Sequence, residues 1–173
     1  MMQKIQRLLL LSFLLFSASA QELTKDNVNF TIRQIPTPAV KAFYIGRGFS
    51  VAQTKPYADT CVYTTTLRND KADEDIHYIR KNWYASVDKT RHHIQTNEYW
   101  KKQFDKSEVT PSSWIAFRLS QMPEEQIYAA NGGWNQGILS VNVPHGTTFD
   151  LTIIWDKKGI ENELTIQGIN CEK

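Results

Sequence analysis

The feature that most constrains the fold is a strict alternation of apolar and polar residues in the last third of the chain. Every second residue from 149 to 155 is large and apolar: Phe149, Leu151, Ile153 and Trp155. Because successive side chains of a β-strand point to opposite faces, this pattern predicts a strand with one buried face. The following DKKG segment (156–159) is typical of a hairpin turn, and residues 163–170 are expected to return as the next strand.

Other segments extend this β-rich pattern. Alternating or β-branched stretches predict further strands at 28–33, 61–68, 76–84, 114–120 and 137–143. Helical spacing predicts short helices at 37–44 and 96–104. Six to eight strands with one or two short helices indicate a mainly β protein. We expect an antiparallel β-sandwich of immunoglobulin-like architecture, although the cysteine–tryptophan–cysteine spacing of true immunoglobulin domains is missing.

The N-terminus has the pattern of a secretory signal peptide. Lys4 and Arg7 precede an apolar run at 8–16, and small residues follow at 17–20. We therefore expect cleavage after Ala20, a single β-rich domain over residues 21–173, and a periplasmic or extracellular location. Gln21 stands where a bacterial lipoprotein would need cysteine, so no membrane anchoring is expected after cleavage.

The charge balance argues against some partners. Lys4 and Arg7 account for the net charge of +2, and residues 21–173 carry 18 basic and 18 acidic side chains. Nucleic acids and anionic membranes attract proteins with a clear excess of positive charge. We therefore expect no nucleic-acid partner.

The two cysteines, Cys61 and Cys171, are predicted to form one disulfide. An even number of cysteines in an exported protein is most simply paired. A thiol metal site or a catalytic thiol is the alternative, but the pair lacks the CxxC spacing that such sites often show.

Two aromatic segments are candidates for ligand binding. In FYIGRGF (43–49), Arg47 stands between two glycines and close to Tyr44, so its guanidinium could stack on a ring and bind an anion. In NGGWNQG (131–137), Trp134 stands among amides that could hold hydroxyl groups. The structural alternatives are a helix C-cap at Gly46 with Arg47 merely exposed, and burial of Trp134 in the core.

A divalent-metal site is the second hypothesis for function. Asp73, Asp75 and His77 would share one face of a strand, and one of the neighbours His92 and His93 could serve instead. The competing interpretation is a charged edge that blocks strand pairing.

Evidence for catalysis is weak. Ser50 lies in GFSVA, which only partly matches the G-x-S-x-G nucleophile turn of hydrolases. The sequence therefore favours an exported, non-catalytic binding module, with no cofactor, whose ligand is a protein or a surface polymer. An exported divalent-metal-binding protein is the first alternative, and a small hydrolase is the second.

Overall fold

The computed structural model describes residues 20–104 and 108–172, so the predicted signal peptide lies almost wholly outside the described residues. Ten strands are present: β1 (Gln21–Lys25), β2 (Val28–Gln34), β3 (Cys61–Asn69), β4 (Ile76–Ile79), β5 (Tyr84–Val87), β6 (Thr90–His93), β7 (Glu125–Tyr128), β8 (Gly133–Val141), β9 (Thr148–Lys157) and β10 (Ile160–Asn170). Four helices accompany them: α1 (Thr37–Ile45), α2 (Val51–Ala58), α3 (Asn97–Phe104) and α4 (Pro111–Ser120). The predicted mainly β class is confirmed.

The strands form two antiparallel sheets. Sheet A has the order β1-β2-β3-β8. In sheet B, β9 pairs with β10 along one edge and with β5 and β4 along the other, while β6 and β7 extend the sheet beyond β5 and β4. The two sheets pack as a sandwich, as predicted, although the strand order does not establish the immunoglobulin-like detail.

The β9–β10 hairpin confirms the strongest sequence pattern. Phe149, Leu151, Ile153 and Trp155 are all buried between the sheets. Lys158 and Gly159 both have positive φ, 55° and 77°, as a two-residue turn between twisted antiparallel strands requires.

The inner face of sheet A, which packs on sheet B, forms a closed core. Its members include Phe30, Leu67 and Leu139, which meet Trp83 and Trp155 from sheet B. Cys61 and Cys171 form the predicted disulfide at the end of this core, with a Cα–Cα distance of 5.6 Å. The bond ties β3 to the segment that follows β10.

The outer face of sheet A is partly covered by the four helices. A second apolar cluster forms there, in which Val62 and Ile138 of the sheet meet Tyr44 of α1, Tyr57 of α2 and Phe117 of α4. The molecule therefore has three layers, with sheet A in the middle, and it contains more helix than the one or two short helices predicted.

The prediction of a strand at 114–120 is wrong, because this segment is helix α4. Ser113 and Phe117 are buried at the helical spacing of four, while Ile115 and Leu119 remain exposed. The helix starts with a Thr110 side chain that caps the N–H of Ser113 and with Pro111 in the first turn, which are both helix-start signals. The alternation of Ile115, Phe117 and Leu119 is therefore present in the sequence but does not indicate a strand.

One smaller expectation also changes. Segment 76–84 is not one strand, because a 3-10 turn at Arg80–Asn82 separates β4 from β5. Gly46 is the C-cap of helix α1, as the structural alternative for this segment predicted; its φ is −61°, and the positive φ of 89° belongs to Gly48. Within the described ranges, none of the helices combines the length and the apolar character that crossing a membrane requires.

Candidate functional site

A cleft of about 950 Å³ lies between α1, α4 and the outer face of sheet A. We call it the α1–α4 cleft. Its apolar lining consists of Ile35, Pro36, Ala39, Val40, Phe43, Val62, Ala116, Leu119, Gly137 and Ile138. Its polar lining consists of Arg33, Gln34, Tyr44, Arg47, Thr64, Ser120 and Gln136. The cleft thus combines an apolar interior with a small set of polar groups, as ligand sites commonly do.

The cleft exists because the helices cover only one end of the sheet. Val62 and Ile138 are covered, while Thr64 and Gln136, the next residues along the same face, remain partly open. The C-terminal end of α4 is held against β8 by a hydrogen bond from the Met122 N–H to the Ile138 carbonyl, 2.9 Å long. Leu119 projects at the mouth of the cleft with 80% of its surface exposed.

Glycines allow the two backbone approaches that shape this layer. A Cβ at Gly137 would collide with the backbone nitrogen of Met122, so only glycine permits the contact between β8 and the end of α4. Gly48, at φ 89°, lies in the turn between α1 and α2, where a Cβ would be 2.7 Å from Ser113 Oγ of α4.

Tyr44 lies at the base of the cleft within a chain of hydrogen bonds. The Gln121 side-chain amide donates to the Tyr44 hydroxyl at 2.8 Å, and the Tyr57 hydroxyl donates to Gln121 Oε1 at 2.8 Å. Ser120 donates to the Phe117 carbonyl, so the hydroxyl of Tyr44 donates to Ser120 Oγ at 3.0 Å. The hydroxyl protons of Tyr44, Tyr57 and Ser120 therefore all have acceptors within the protein.

Burial makes Tyr44 unsuited to proton abstraction. Removal from water raises the pKa of Tyr44 to about 12, and its hydrogen bonds with Ser120 and Gln121 only partly oppose this. Complete burial likewise raises the pKa of Tyr57 well above its ordinary value. Both phenols therefore stay neutral at physiological pH and do not act as bases.

Arg47 is exposed but held in place over Phe43. Its guanidinium carbon lies 3.4 Å from the centre of the Phe43 ring, and its Nη1 donates to the Phe43 carbonyl at 2.9 Å. Stacking and one hydrogen bond fix the orientation of the guanidinium, while its remaining N–H groups can still bind a ligand.

Arg33 supplies a second positive charge from the sheet. It lies on the outer face of β2, opposite Thr64 of β3, and is exposed. Among the residues that the structure describes, neither Arg33 nor Arg47 has an ion-pair partner, and the cleft lining contains no carboxylate. The cleft is therefore positively charged.

Trp134 does not line this cleft. It lies on the outer face of β8 with 54% of its surface exposed, and the guanidinium of its cross-strand neighbour Arg68 lies 5.1 Å from its ring centre. Gln136, two residues further along the same face, does line the cleft. The structure thus brings Tyr44 and Arg47 together and leaves Trp134 on the open sheet surface beside them.

The three principal residues of the metal hypothesis each have another partner. Asp73 receives a hydrogen bond from Lys157 at 3.3 Å, and the Asp75 carboxylate accepts the Ala130 N–H at 2.8 Å. His77 Nε2 is 2.8 Å from Glu125 of the adjacent strand β7. The His92–His93 pair lies in β6, a strand that pairs with β5.

The side chains whose potential ligand atoms lie closest together are at a different place. Across residues 20–104 and 108–172, one group of three His, Cys, Asp or Glu side chains has its ligand atoms within 4.8 Å of one another: Cys61, His145 and Cys171. The two sulfurs of this group are joined in the disulfide, and His145 Nδ1 is 2.7 Å from the Glu172 carbonyl.

Ser50 has a structural role as the N-cap of α2. Its hydroxyl accepts the Gln53 N–H at 3.2 Å, and the Gln53 side chain accepts the Ser50 N–H at 2.7 Å, which together form a capping box.

Sequence reasoning missed several cleft residues. Ala116 and Leu119 were assigned to a strand instead of α4, and their part in the cleft depends on helical geometry. Arg33 lies on the polar side of the alternation of Val28, Phe30 and Ile32 in β2, and this alternation is the sequence signal that it faces the outer surface. Comparison with known proteins adds no further assignment: no family model matches the chain, and no curated protein or solved structure matches it significantly.

Proposed function

We propose that this protein is an exported, non-catalytic binding protein and that the α1–α4 cleft is its ligand site. One observation supports this most: an apolar cleft of about 950 Å³ carries two arginines that have no ion-pair partner among the described residues. Small-molecule sites are typically apolar cavities of about 300–1,000 Å³ with a few polar groups that orient the ligand.

The chemistry of the cleft supports binding without catalysis. Its hydroxyl groups, on Tyr44, Ser120 and Thr64, are bonded to other protein groups, and the raised pKa keeps Tyr44 neutral. Ser50, the candidate nucleophile of the hydrolase hypothesis, is occupied as a helix cap. A nucleophile needs an adjacent base, and among residues 20–104 and 108–172 the side chains that line the cleft include no histidine or carboxylate.

Export is supported by two independent features. The sequence of residues 1–20 has the three parts of a signal peptide. The disulfide between Cys61 and Cys171 is of a kind that persists in oxidising compartments such as the periplasm or the extracellular space.

The geometry also narrows the range of ligands that the sequence predicted. A protein or a surface polymer would reach this cleft only by inserting an apolar group, because the polar lining is a minority of its wall. A ligand whose apolar part enters between α1 and α4 therefore fits the cleft better than a ligand that presents a flat surface.

A fluorescent apolar probe tests the proposal. We expect N-phenyl-1-naphthylamine to bind the wild-type protein with increased emission. In Ala116→Trp, a large ring fills the cleft, and the affinity should fall at least tenfold. The control is Ala52→Trp, at an exposed position of α2 outside the cleft lining, which should bind like wild type. Equal binding by wild type and Ala116→Trp would refute the assignment of the site.

A further inference from the structure

We propose that the ligand of the α1–α4 cleft is a single-chain amphiphile with a carboxylate head group, an inference that rests on the proposed function. The chain would lie in the apolar interior between α1 and α4, and the carboxylate would meet Arg33 and Arg47. The inference follows from the distribution of apolar surface, from the unpaired charges and from the hydrogen bonds already made around the cleft.

The interior of the cleft matches a flexible apolar chain. Val40 and Phe43 of α1 face Ala116 and Leu119 of α4 across the cleft, and Ile138 contributes from the sheet. Each methylene that leaves water on binding strengthens the affinity about fourfold. A chain of about a dozen carbons can therefore supply most of the affinity without a specific polar contact.

The charge at the cleft selects an anionic head group. Arg33 and Arg47 both line the cleft, and no carboxylate in the described part of the chain pairs with either. A guanidinium presents parallel N–H donors that match the two oxygens of a carboxylate. A cationic head group would instead be repelled by both arginines.

Arg47 is already oriented for this contact. Its stacking on Phe43 and its hydrogen bond to the Phe43 carbonyl limit the rotamers available to the side chain. A ligand that binds a fixed side chain loses less conformational entropy than one that must order it. Arg47 is therefore the stronger of the two head-group contacts.

The N-terminus of α1 argues for a carboxylate over a phosphate. Phosphate sites usually use several free backbone N–H groups at a helix start. Here Pro38 has no N–H, and the N–H groups of Ala39 and Val40 both donate to the Pro36 carbonyl, at 2.8 and 3.1 Å. The arginine side chains remain the principal donors, and a planar monoanion satisfies them.

Displacement of N-phenyl-1-naphthylamine by four twelve-carbon compounds tests the ligand class at neutral pH. They are dodecanoate, dodecanol, dodecyl phosphate and dodecyltrimethylammonium. We expect dodecanoate to bind at least tenfold more tightly than dodecanol and more tightly than dodecyl phosphate, and the trimethylammonium compound to bind most weakly.

Charge-removing variants then locate the head group. Arg47→Gln should lower the affinity for dodecanoate about tenfold, and Arg33→Gln should lower it by less. Both variants should leave the affinity for dodecanol unchanged, because dodecanol has no charged group for an arginine to pair with. The control is Arg91→Gln. Arg91 also stacks on a ring, that of Tyr84 at 4.2 Å, but it lies on β6 of sheet B and should have no effect.

Three results would overturn the inference. Equal affinities for dodecanoate and dodecanol would show an apolar cleft without head-group selection, which leaves the proposed function intact. Tighter binding of dodecyl phosphate than of dodecanoate would replace the carboxylate. If no compound displaces the probe, the amphiphile is rejected, and the probe's own response to Ala116→Trp decides separately whether the cleft is a ligand site.

Discussion

The two faces of sheet A use the same strands but differ in how they are covered. The inner face packs on sheet B along its length, and Leu139 is 0% exposed there. The outer face is covered by helices at one end only, where Ile138 is 7% exposed and lines an open cleft. A second sheet can seal a face completely, whereas short separate helices leave gaps. The inner face therefore provides stability, whereas the outer face leaves open the cleft that we propose as the ligand site.

Removal of the disulfide, which lies at the end of the core on the inner face of sheet A, should have the largest effect on stability. A double variant, Cys61→Ala with Cys171→Ala, frees a loop closed by residues 110 positions apart. Its free energy of unfolding should fall by about 4 kcal/mol, because the unfolded chain regains entropy. Urea titration measures this, and wild type refolded in reductant is the control. A loss below about 1 kcal/mol in both would contradict the expected role of the cross-link.

The most direct test compares two neighbours on β8. Leu139→Ala leaves a cavity in the sealed core and should cost about 3–4 kcal/mol of unfolding free energy. Ile138→Ala enlarges a cleft that already exists, so the cavity cost is small and the loss should be about 2 kcal/mol. Urea titration gives both values. Equal losses would show that the outer layer is packed as tightly as the inner core.

Alkaline pH should weaken the outer layer through Tyr44. Its pKa is about 12 in the folded protein against 10.0 in the unfolded chain, so the native state retains a proton that the unfolded state releases. Stability from this group is complete below pH 10 and falls by about 1.4 kcal/mol per pH unit up to about pH 12.

The variant Tyr44→Phe isolates that contribution. Its unfolding free energy should fall less steeply between pH 10 and 12 than that of wild type, measured by urea titration at each pH. At neutral pH it should lose about 1 kcal/mol, because the hydrogen bonds with Ser120 and Gln121 disappear. An unchanged alkaline slope would mean that the Tyr44 hydroxyl is not buried.

A small predicted effect concerns Gly48, in the turn that places α1 against α4. Gly48→Ala should cost about 1–2 kcal/mol, because a left-handed backbone is unfavourable for alanine and the new Cβ approaches Ser113 Oγ. In a Ser113→Ala background the steric part should be relieved and only the backbone part remain. Thermal unfolding of wild type, Gly48→Ala, Ser113→Ala and the double variant measures these costs. An equal cost of Gly48→Ala in both backgrounds would exclude the Ser113 contact.

Sequence patterns predicted the inner layer much better than the outer one. The stripe at Phe149, Leu151, Ile153 and Trp155 has a strict period of two, and its burial was predicted correctly. Segment 114–120 has the same apparent alternation, yet it is a helix in which Phe117 is buried and Leu119 is exposed. The helix-start residues Thr110 and Pro111 were the signal that distinguishes the two cases.

The candidate site was predicted only in part for a related reason. The proximity of Arg47 to rings follows from a short local segment, so the sequence could indicate it. The cleft itself joins α1, α4 and strands far apart in the chain, and no local pattern reports such distances. The local segment around Trp134 made it as good a candidate for ligand binding as Arg47. In the structure, however, Trp134 lies on the open surface of the sheet and does not line the cleft.

By itself, the sequence determined which residues alternate into a sealed core and which two sulfurs are available to pair, because periodicity and composition are local properties. Tertiary structure decided that Arg33 and Arg47, fourteen residues apart in the chain, line one apolar cleft with Ala116 and Leu119. The cleft forms because of the positions at which the short helices pack on sheet A. Contacts between segments that are distant in the chain fix these positions.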